Sequence, residues 1–131
     1  MAIVVGYLAT AEGRAALEAA VRESHLRAER VGVVVSTRQD EPQAQRAEVE
    51  QARAEVDRQL DSDGVDHEIR LLDGGDVADD LISAAEDTGA HLVVIGLRRR
   101  SPVGKLILGA NAQRVLFDAP CPVLTVKPNP A

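Results

Sequence analysis

The sequence has few of the residues on which several functional classes depend. Its 131 residues include one cysteine, one tyrosine, one phenylalanine and no tryptophan. One cysteine cannot form an intramolecular disulfide, and so few aromatic rings argue against a stacking platform for single-stranded nucleic acid. No apolar run approaches the roughly 18 residues of a membrane span. No basic leader precedes Ile3-Val4-Val5, so we expect a cytoplasmic protein. Because aromatic rings are few and no apolar run is long, we also expect it to bind neither nucleic acid nor membranes.

Charge is distributed unevenly along the chain. The net charge is −6, but six basic residues and one acidic residue follow position 97. The first 97 residues hold nine basic and 20 acidic side chains. A basic end on an acidic body attracts a small anion locally, and its charge is too small for a polyanion groove.

Five short apolar runs alternate with helical patterns. The runs begin at Ile3, Val31, Val65, His91 and Val123. The segments between them suit crossover helices and are too long for hairpins, which predicts parallel strand pairing. Right-handed crossovers then give an α/β fold, an open doubly wound sheet of five parallel strands in the order 3-2-1-4-5 with helices on both faces. We expect a single domain over residues 1–131, with 127–131 as a short tail.

Capping residues mark several of the predicted helix boundaries. Thr10 precedes the first helical pattern, and its hydroxyl can accept a hydrogen bond from a free helix amide. The start of the third pattern carries four acidic residues that suit helix caps and partners of the helix dipole: Asp73, Asp76, Asp79 and Asp80. Asp40 and Pro42 predict the start of the second helix, and Gly89 is typical of a helix end. Residues 65–71 alternate between apolar and polar, which predicts a strand at the edge of the sheet.

One crevice of the predicted sheet collects the candidate binding segments. In doubly wound sheets, ligands bind beyond the carboxyl ends of the strands, where the strand order reverses. This rule brings together three segments: 6–10, 35–37 and 96–111. The last segment runs from a strand through arginines to a helix start, whose free N–H groups and dipole favour a phosphate. Gly109 allows close backbone approach there, and Arg98 supplies positive charge.

The carboxyl-terminal part of the chain carries a family resemblance. Val94-Ile95-Gly96, the arginine-rich loop, Gly109 and the segments Ala112–Val115 and Ala119–Val126 resemble the universal stress protein family. The resemblance covers essentially the whole chain, including Gly-Arg-Ala-Ala-Leu at the start of the first helix. It implies a noncatalytic, homodimeric stress-response protein with a crevice for an adenine nucleotide such as ATP or AMP, and no required cofactor.

ATP-binding members of that family show a glycine, two residues, a second glycine, nine residues and then Gly-Ser or Gly-Thr. They also have an aspartate just after the first strand. Here Gly96 and Gly109 match the first and third glycines, whereas Arg99, Ala110 and Leu8 replace the second glycine, the phosphate-binding hydroxyl residue and the aspartate. The nucleotide-binding residues that the resemblance implies are Gly6, Tyr7, Leu8, Val35, Ile95, Gly96, Arg98, Arg99, Gly109, Ala110 and Asn111.

The three replacements leave a second hypothesis open. The chain could be a protein-interaction module of the same fold with a degraded nucleotide site and an unidentified protein partner. Slow nucleotide hydrolysis is a third alternative, although no residue is an evident general base or magnesium ligand. Family members commonly dimerise by antiparallel pairing of their last strands. The resemblance therefore implies a homodimer edge formed by Val123, Leu124, Thr125 and Val126.

The remaining reactive side chains predict no catalytic or metal site. His25, His67 and His91 lie on separate elements, without the spacing of metal ligands. Cys121 stands between two prolines and has no neighbouring base that would activate a thiol, so we interpret it as structural.

Overall fold

A computed structural model describes residues 2–7, 10–36, 42–72, 76–97 and 109–128 of the chain. Within these ranges five strands alternate with four helices. In chain order they are β1 (Ile3–Gly6), α1 (Ala11–Arg27), β2 (Val31–Ser36), α2 (Pro42–Ser62), β3 (His67–Leu72), α3 (Val77–Thr88), β4 (Leu92–Gly96), α4 (Ala110–Asp118) and β5 (Val123–Val126). The predicted site residues Leu8, Arg98 and Arg99, and the predicted cap Asp40, lie outside the described residues.

β1 occupies the centre of the sheet. All neighbouring strands pair in parallel, and the order β3-β2-β1-β4-β5 confirms the predicted topology. Ile3 of β1 is in register with Val31 on one side and with Leu92 on the other. The chain thus moves outwards through β2 and β3, and then returns to the opposite side of β1, so the strand order reverses between β1 and β4.

The sheet separates two layers of buried side chains. Val5, Val33 and Val94 pack in the layer that contains the buried residues of α1 and α2. Their neighbours Val4, Val34 and Val93 pack in the layer of α3 and α4. This alternation follows from the pleat of a strand, and it explains why the central strands are apolar on both faces.

α1 presents a face of very small side chains to the sheet. Ala15, Ala16, Ala19 and Ala20 are all buried there, together with Leu17. Because an alanine side chain is a single methyl group, the helix axis can approach the strands closely. The helix ends before Ala28, which is exposed and adopts the left-handed conformation (φ 55°).

The predicted capping residues are confirmed where the structure describes them. Thr10 Oγ1 accepts a hydrogen bond from the Gly13 N–H at 3.1 Å. Asp76 Oδ1 accepts from the Ala78 N–H at 2.9 Å, and Gly89 ends α3 with a positive φ of 63°. β3 lies at the edge of the sheet, as its alternating pattern predicted. Among the described helices, none has both the length and the apolar character needed to cross a bilayer.

Candidate functional site

The carboxyl ends of β1, β2 and β4 meet at one edge of the sheet. Just after β1, the Tyr7 N–H donates to the Val34 carbonyl at 3.0 Å, and just after β4 the Leu97 N–H donates to the Val126 carbonyl at 2.8 Å. Through this pairing the structure brings five of the predicted site residues to this edge: Gly6, Tyr7, Val35, Ile95 and Gly96. Three of the five, Tyr7, Val35 and Ile95, are buried.

The amino terminus of α4 lies at the same end of the molecule. α3 begins at this end, because its first residues follow the carboxyl end of β3. The Arg114 guanidinium of α4 hydrogen-bonds to Asp76 and Asp79 in the first turn of α3. Since Arg114 lies about one turn after the start of α4, the first residues of both helices are near the carboxyl edge of the sheet. The remaining predicted site residues, Gly109, Ala110 and Asn111, are therefore at the predicted end.

Helix packing requires glycine at position 96 and leaves little space beside Gly6. A Cβ at Gly96 would lie 2.1 Å from the carbonyl oxygen of Glu12, in the first turn of α1. A Cβ at Gly6 would lie 3.0 Å from Cδ1 of Leu81 in α3. The sequence suggested a ligand as the reason for glycine at these positions, and it gave no sign of these two helix contacts.

Gly109 has a different environment. Its φ of −68° and ψ of 168° are accessible to any residue, and no described atom lies within 4 Å of the Cβ it would carry. It is the N-cap of α4, and among the described residues no side chain caps this helix. By contrast, hydroxyl and carboxylate oxygens cap α1 and α3. The first amides of α4, in the exposed residues Ala110 and Asn111, can therefore donate to an anion.

Tyr7 forms part of the apolar wall beside these strand ends. Its side chain is 4% exposed and packs in the layer of α1 and α2. Burial raises the pKa of the Tyr7 phenol, and the Glu55 carboxylate adds to this, while the hydrogen-bonded Arg14 guanidinium opposes it. Tyr7 is therefore a neutral phenol at pH 7, and its side chain is part of the core beneath this edge of the sheet.

Arg114 plays a role that the sequence did not reveal. Its Nη1 lies 2.9 Å from Asp76 Oδ2, and its Nη2 bonds to Asp79 Oδ1. The hydrogen bond to Asp79 and the charge of that carboxylate raise the pKa of Arg114 further above its ordinary value. Arg114 was counted in the basic end of the chain, but its charge is balanced by α3. The sequence feature that could have predicted this pairing is the group of acidic side chains at the start of α3.

The three histidines form hydrogen bonds or ion pairs within the fold, and the cysteine is partly buried. His25 and His67 hydrogen-bond to the carbonyl oxygens of Asp63 and Val65, and His91 pairs with the Glu29 carboxylate at 3.2 Å. Burial raises the pKa of the Cys121 thiol, which disfavours the reactive thiolate. Across the described ranges, no cluster of three or more histidine, cysteine, aspartate or glutamate side chains could hold a metal ion.

Comparison with known proteins places these features in one family. The model of the universal stress protein family matches residues 1–127. A universal stress protein of Mycolicibacterium smegmatis is 42% identical over 127 residues, which cover 97% of this chain and 98% of that protein. A universal stress protein structure from Archaeoglobus fulgidus is 32% identical with a TM-score of 0.82, and the alignment covers 97% of this chain and 98% of that one. A structure of the universal stress protein from Archaeoglobus fulgidus in complex with dAMP is 27% identical, with a TM-score of 0.77 and the same coverage of both chains. The chain therefore belongs to the universal stress protein family.

Proposed function

We propose that this universal stress protein is a cytoplasmic, noncatalytic protein that binds an adenine nucleotide in the crevice at the carboxyl edge of its sheet. The observation that carries the proposal is the exposed amino terminus of α4, which no described side chain caps. Helix amides at such a terminus bind phosphate through hydrogen bonds and through the helix dipole. The complex of the 27% identical Archaeoglobus relative with dAMP supports an adenine nucleotide as the ligand.

The two parts of the nucleotide would contact different surfaces. The base would lie against the apolar strand ends near Gly6, Val35 and Ile95, where buried side chains provide a dry wall. The phosphates would lie over the amides of Ala110 and Asn111. Arg98 and Arg99 are proposed as additional phosphate contacts, since they follow β4 directly in the chain.

Two serine substitutions at adjacent positions test this arrangement. In Gly109→Ser, the new hydroxyl would accept a hydrogen bond from an α4 amide, which stabilises the helix by a few tenths of a kcal/mol and competes with phosphate. In Ala110→Ser, the added hydroxyl would donate to the phosphate. We expect Gly109→Ser to weaken ATP binding by about twofold, the equivalent of the cap stabilisation, and Ala110→Ser to strengthen it by up to about fivefold, since a neutral hydrogen bond contributes about 1 kcal/mol.

Isothermal titration calorimetry with ATP, ADP, AMP and cyclic AMP measures these affinities. At about 100 μM protein, the titration detects any nucleotide whose dissociation constant lies well below about 1 mM. No binding heat from the unmodified protein under these conditions would contradict the proposal. So would a Gly109→Ser variant that binds ATP like the unmodified protein. Either result would favour the alternative, a protein-interaction module of this fold with a degraded site.

We also propose a homodimer through β5. In the described part of the chain β5 pairs on one side, with β4. The Val93 N–H donates to the Pro122 carbonyl and the Leu97 N–H to the Val126 carbonyl. The alternation of a parallel ladder then turns the backbone groups of Val123 and Thr125 towards the open side. Such a row of donors and acceptors pairs readily with the same strand of a second copy.

A further inference from the structure

We propose that Arg114 is a positioning residue, which fixes the amino terminus of α4 for phosphate by binding two carboxylates of α3. The proposal rests on the proposed nucleotide site, because it concerns how that site is held in place. Arg114 would not touch the nucleotide. Its guanidinium would act through Asp76 and Asp79, to which it hydrogen-bonds.

α4 buries little of its own apolar surface. It spans nine residues, and Val115 is its one buried residue. Ala112 packs partly against the same apolar layer. A short helix with so few buried apolar contacts is held only weakly in its tilt and rotation.

The contacts of Arg114 supply the missing constraints. Two different nitrogens of the planar guanidinium bond to two different carboxylates, Nη1 to Asp76 Oδ2 and Nη2 to Asp79 Oδ1. Because the guanidinium is planar and rigid and is bound through two of its nitrogens, it restricts the rotation of α4 as well as its translation. Lysine offers a single ammonium group and cannot reproduce this geometry.

The Asp76 carboxylate, which binds Arg114, is itself held in place by the backbone of α3. The other oxygen of Asp76, Oδ1, accepts hydrogen bonds from the amides of Ala78 and Asp79 at 2.9 and 3.3 Å. The same carboxylate therefore caps α3 and binds α4. Arg114 is attached to the backbone of α3 through one ordered side chain, so the starts of the two helices are mechanically connected.

The physical consequence concerns preorganisation of the α4 amides. Ala110 lies one turn before Arg114, so a tilt of α4 about Val115 would displace the amides of Ala110 and Asn111. Phosphate binding would then have to reorder them, and the affinity would fall. We expect loss of the Arg114 contacts to weaken ATP binding by about fivefold, the upper range for an exposed ion pair.

Three changes test the contact from both sides. Arg114→Gln removes the guanidinium, and Arg114→Lys keeps the charge without the fork. The double variant Asp76→Ser, Asp79→Ala removes both acceptors, while the serine retains a good cap for α3. Arg58→Gln, on the exposed surface of α2, is the control for loss of one positive charge.

The first measurement needs no ligand. Amide hydrogen exchange of residues 113–116, which begin with the first amide of α4 that is bonded within the helix (Gln113 N–H to the Gly109 carbonyl), should become about fivefold faster in Arg114→Gln and in the double variant. Exchange in α1 should stay unchanged, as should all of these rates in Arg58→Gln. Unchanged exchange of residues 113–116 in Arg114→Gln would overturn the proposal, whether or not the protein binds nucleotide.

The second measurement is ATP affinity by calorimetry. Arg114→Gln and the double variant should show the same loss, their combination no further loss, and Arg114→Lys an intermediate value. Equal weakening by Arg58→Gln would show that Arg114 acts by charge alone, and additive losses in the combined variant would show that it acts independently of Asp76 and Asp79. Either result would overturn the proposal. If the unmodified protein binds no ATP, the proposed function is wrong, and the exchange measurement still decides the role of Arg114.

Discussion

Gly96 of β4 lies directly against the backbone of Glu12 in α1. A Cβ at position 96 would be 2.1 Å from the carbonyl oxygen and 2.6 Å from the carbonyl carbon of Glu12. Because these are backbone atoms of a helix, they cannot move aside like the end of a flexible side chain. We expect Gly96→Ala to lower the free energy of unfolding by about 3 kcal/mol, measured by urea denaturation.

Gly109→Ala is the matched control for that substitution. It adds the same methyl group where no described atom lies within 4 Å, at a φ of −68° that alanine adopts readily. Its cost should be about 1 kcal/mol or less, the penalty for a poorer N-cap. Equal stability of Gly96→Ala and the unmodified protein would show that the helix does not lie this close to the strand.

Two proline substitutions distinguish the free edge of β5 from its paired edge. Thr125→Pro removes an N–H that points away from β4, so the sheet should persist while the proposed dimer is lost. Leu124→Pro removes an N–H that points towards β4, so it should destabilise the fold itself. Light scattering after size-exclusion chromatography and thermal unfolding separate the two effects. A dimeric Thr125→Pro variant would exclude assembly through β5.

His67 should make the stability of the protein depend on pH. Its Nδ1 faces the Val65 carbonyl at 3.0 Å and its Nε2 faces Asp57 Oδ1 at 2.8 Å, so both nitrogens donate only in the protonated ring. Burial alone would lower the pKa of His67, but the hydrogen bonds to Val65 and Asp57 and the charges of Asp57 and Asp61 outweigh it, and the pKa is raised.

The sign of this dependence follows from the raised pKa. The contribution of His67 is complete below the unfolded-state pKa of about 6.5 and is lost as the pH rises through the folded-state value. Urea denaturation at several pH values should show stability falling over that range, less steeply in Asp57→Asn. Nuclear magnetic resonance titration should give a lower His67 pKa in Asp57→Asn than in the unmodified protein. An unchanged pKa would mean that the Asp57 contact is not formed.

Cys121 should react slowly with alkylating reagents. Burial raises the pKa of its thiol, so the thiolate fraction at pH 7.5 is smaller than in an unfolded chain. Iodoacetamide should modify the folded protein more slowly than the same protein in urea, as followed by mass spectrometry. Equal rates in the two states would show that the thiol is not protected.

Much of the architecture could be predicted from local patterns in the sequence. Apolar runs identify strands because central parallel strands are buried on both faces, and Thr10, Asp76 and Gly89 mark helix ends through local hydrogen bonding and backbone conformation. The order of the strands then follows from the handedness of the crossovers and from the family resemblance.

The contacts between elements could not be predicted in the same way. The approach of Gly96 to Glu12 joins residues far apart in the chain, and so does the binding of Arg114 by Asp76. Periodicity indicates which side of a helix faces inward, but not which residue of another element it meets. The sequence therefore predicted a binding crevice at this edge of the sheet, without showing which contacts hold that region in place.

The alanine face of α1 limits how this protein can evolve. Because methyl groups set the spacing between helix and sheet, a mutation to a larger side chain at Ala16 or Ala20 would lift α1 and separate Glu12 from Gly96. Substitutions at these two positions are therefore restricted to residues of nearly the same volume as alanine. The solvent-facing positions of α2 carry no such restriction. In proteins that evolve from this one, we therefore expect amino-acid substitutions to accumulate first at those positions.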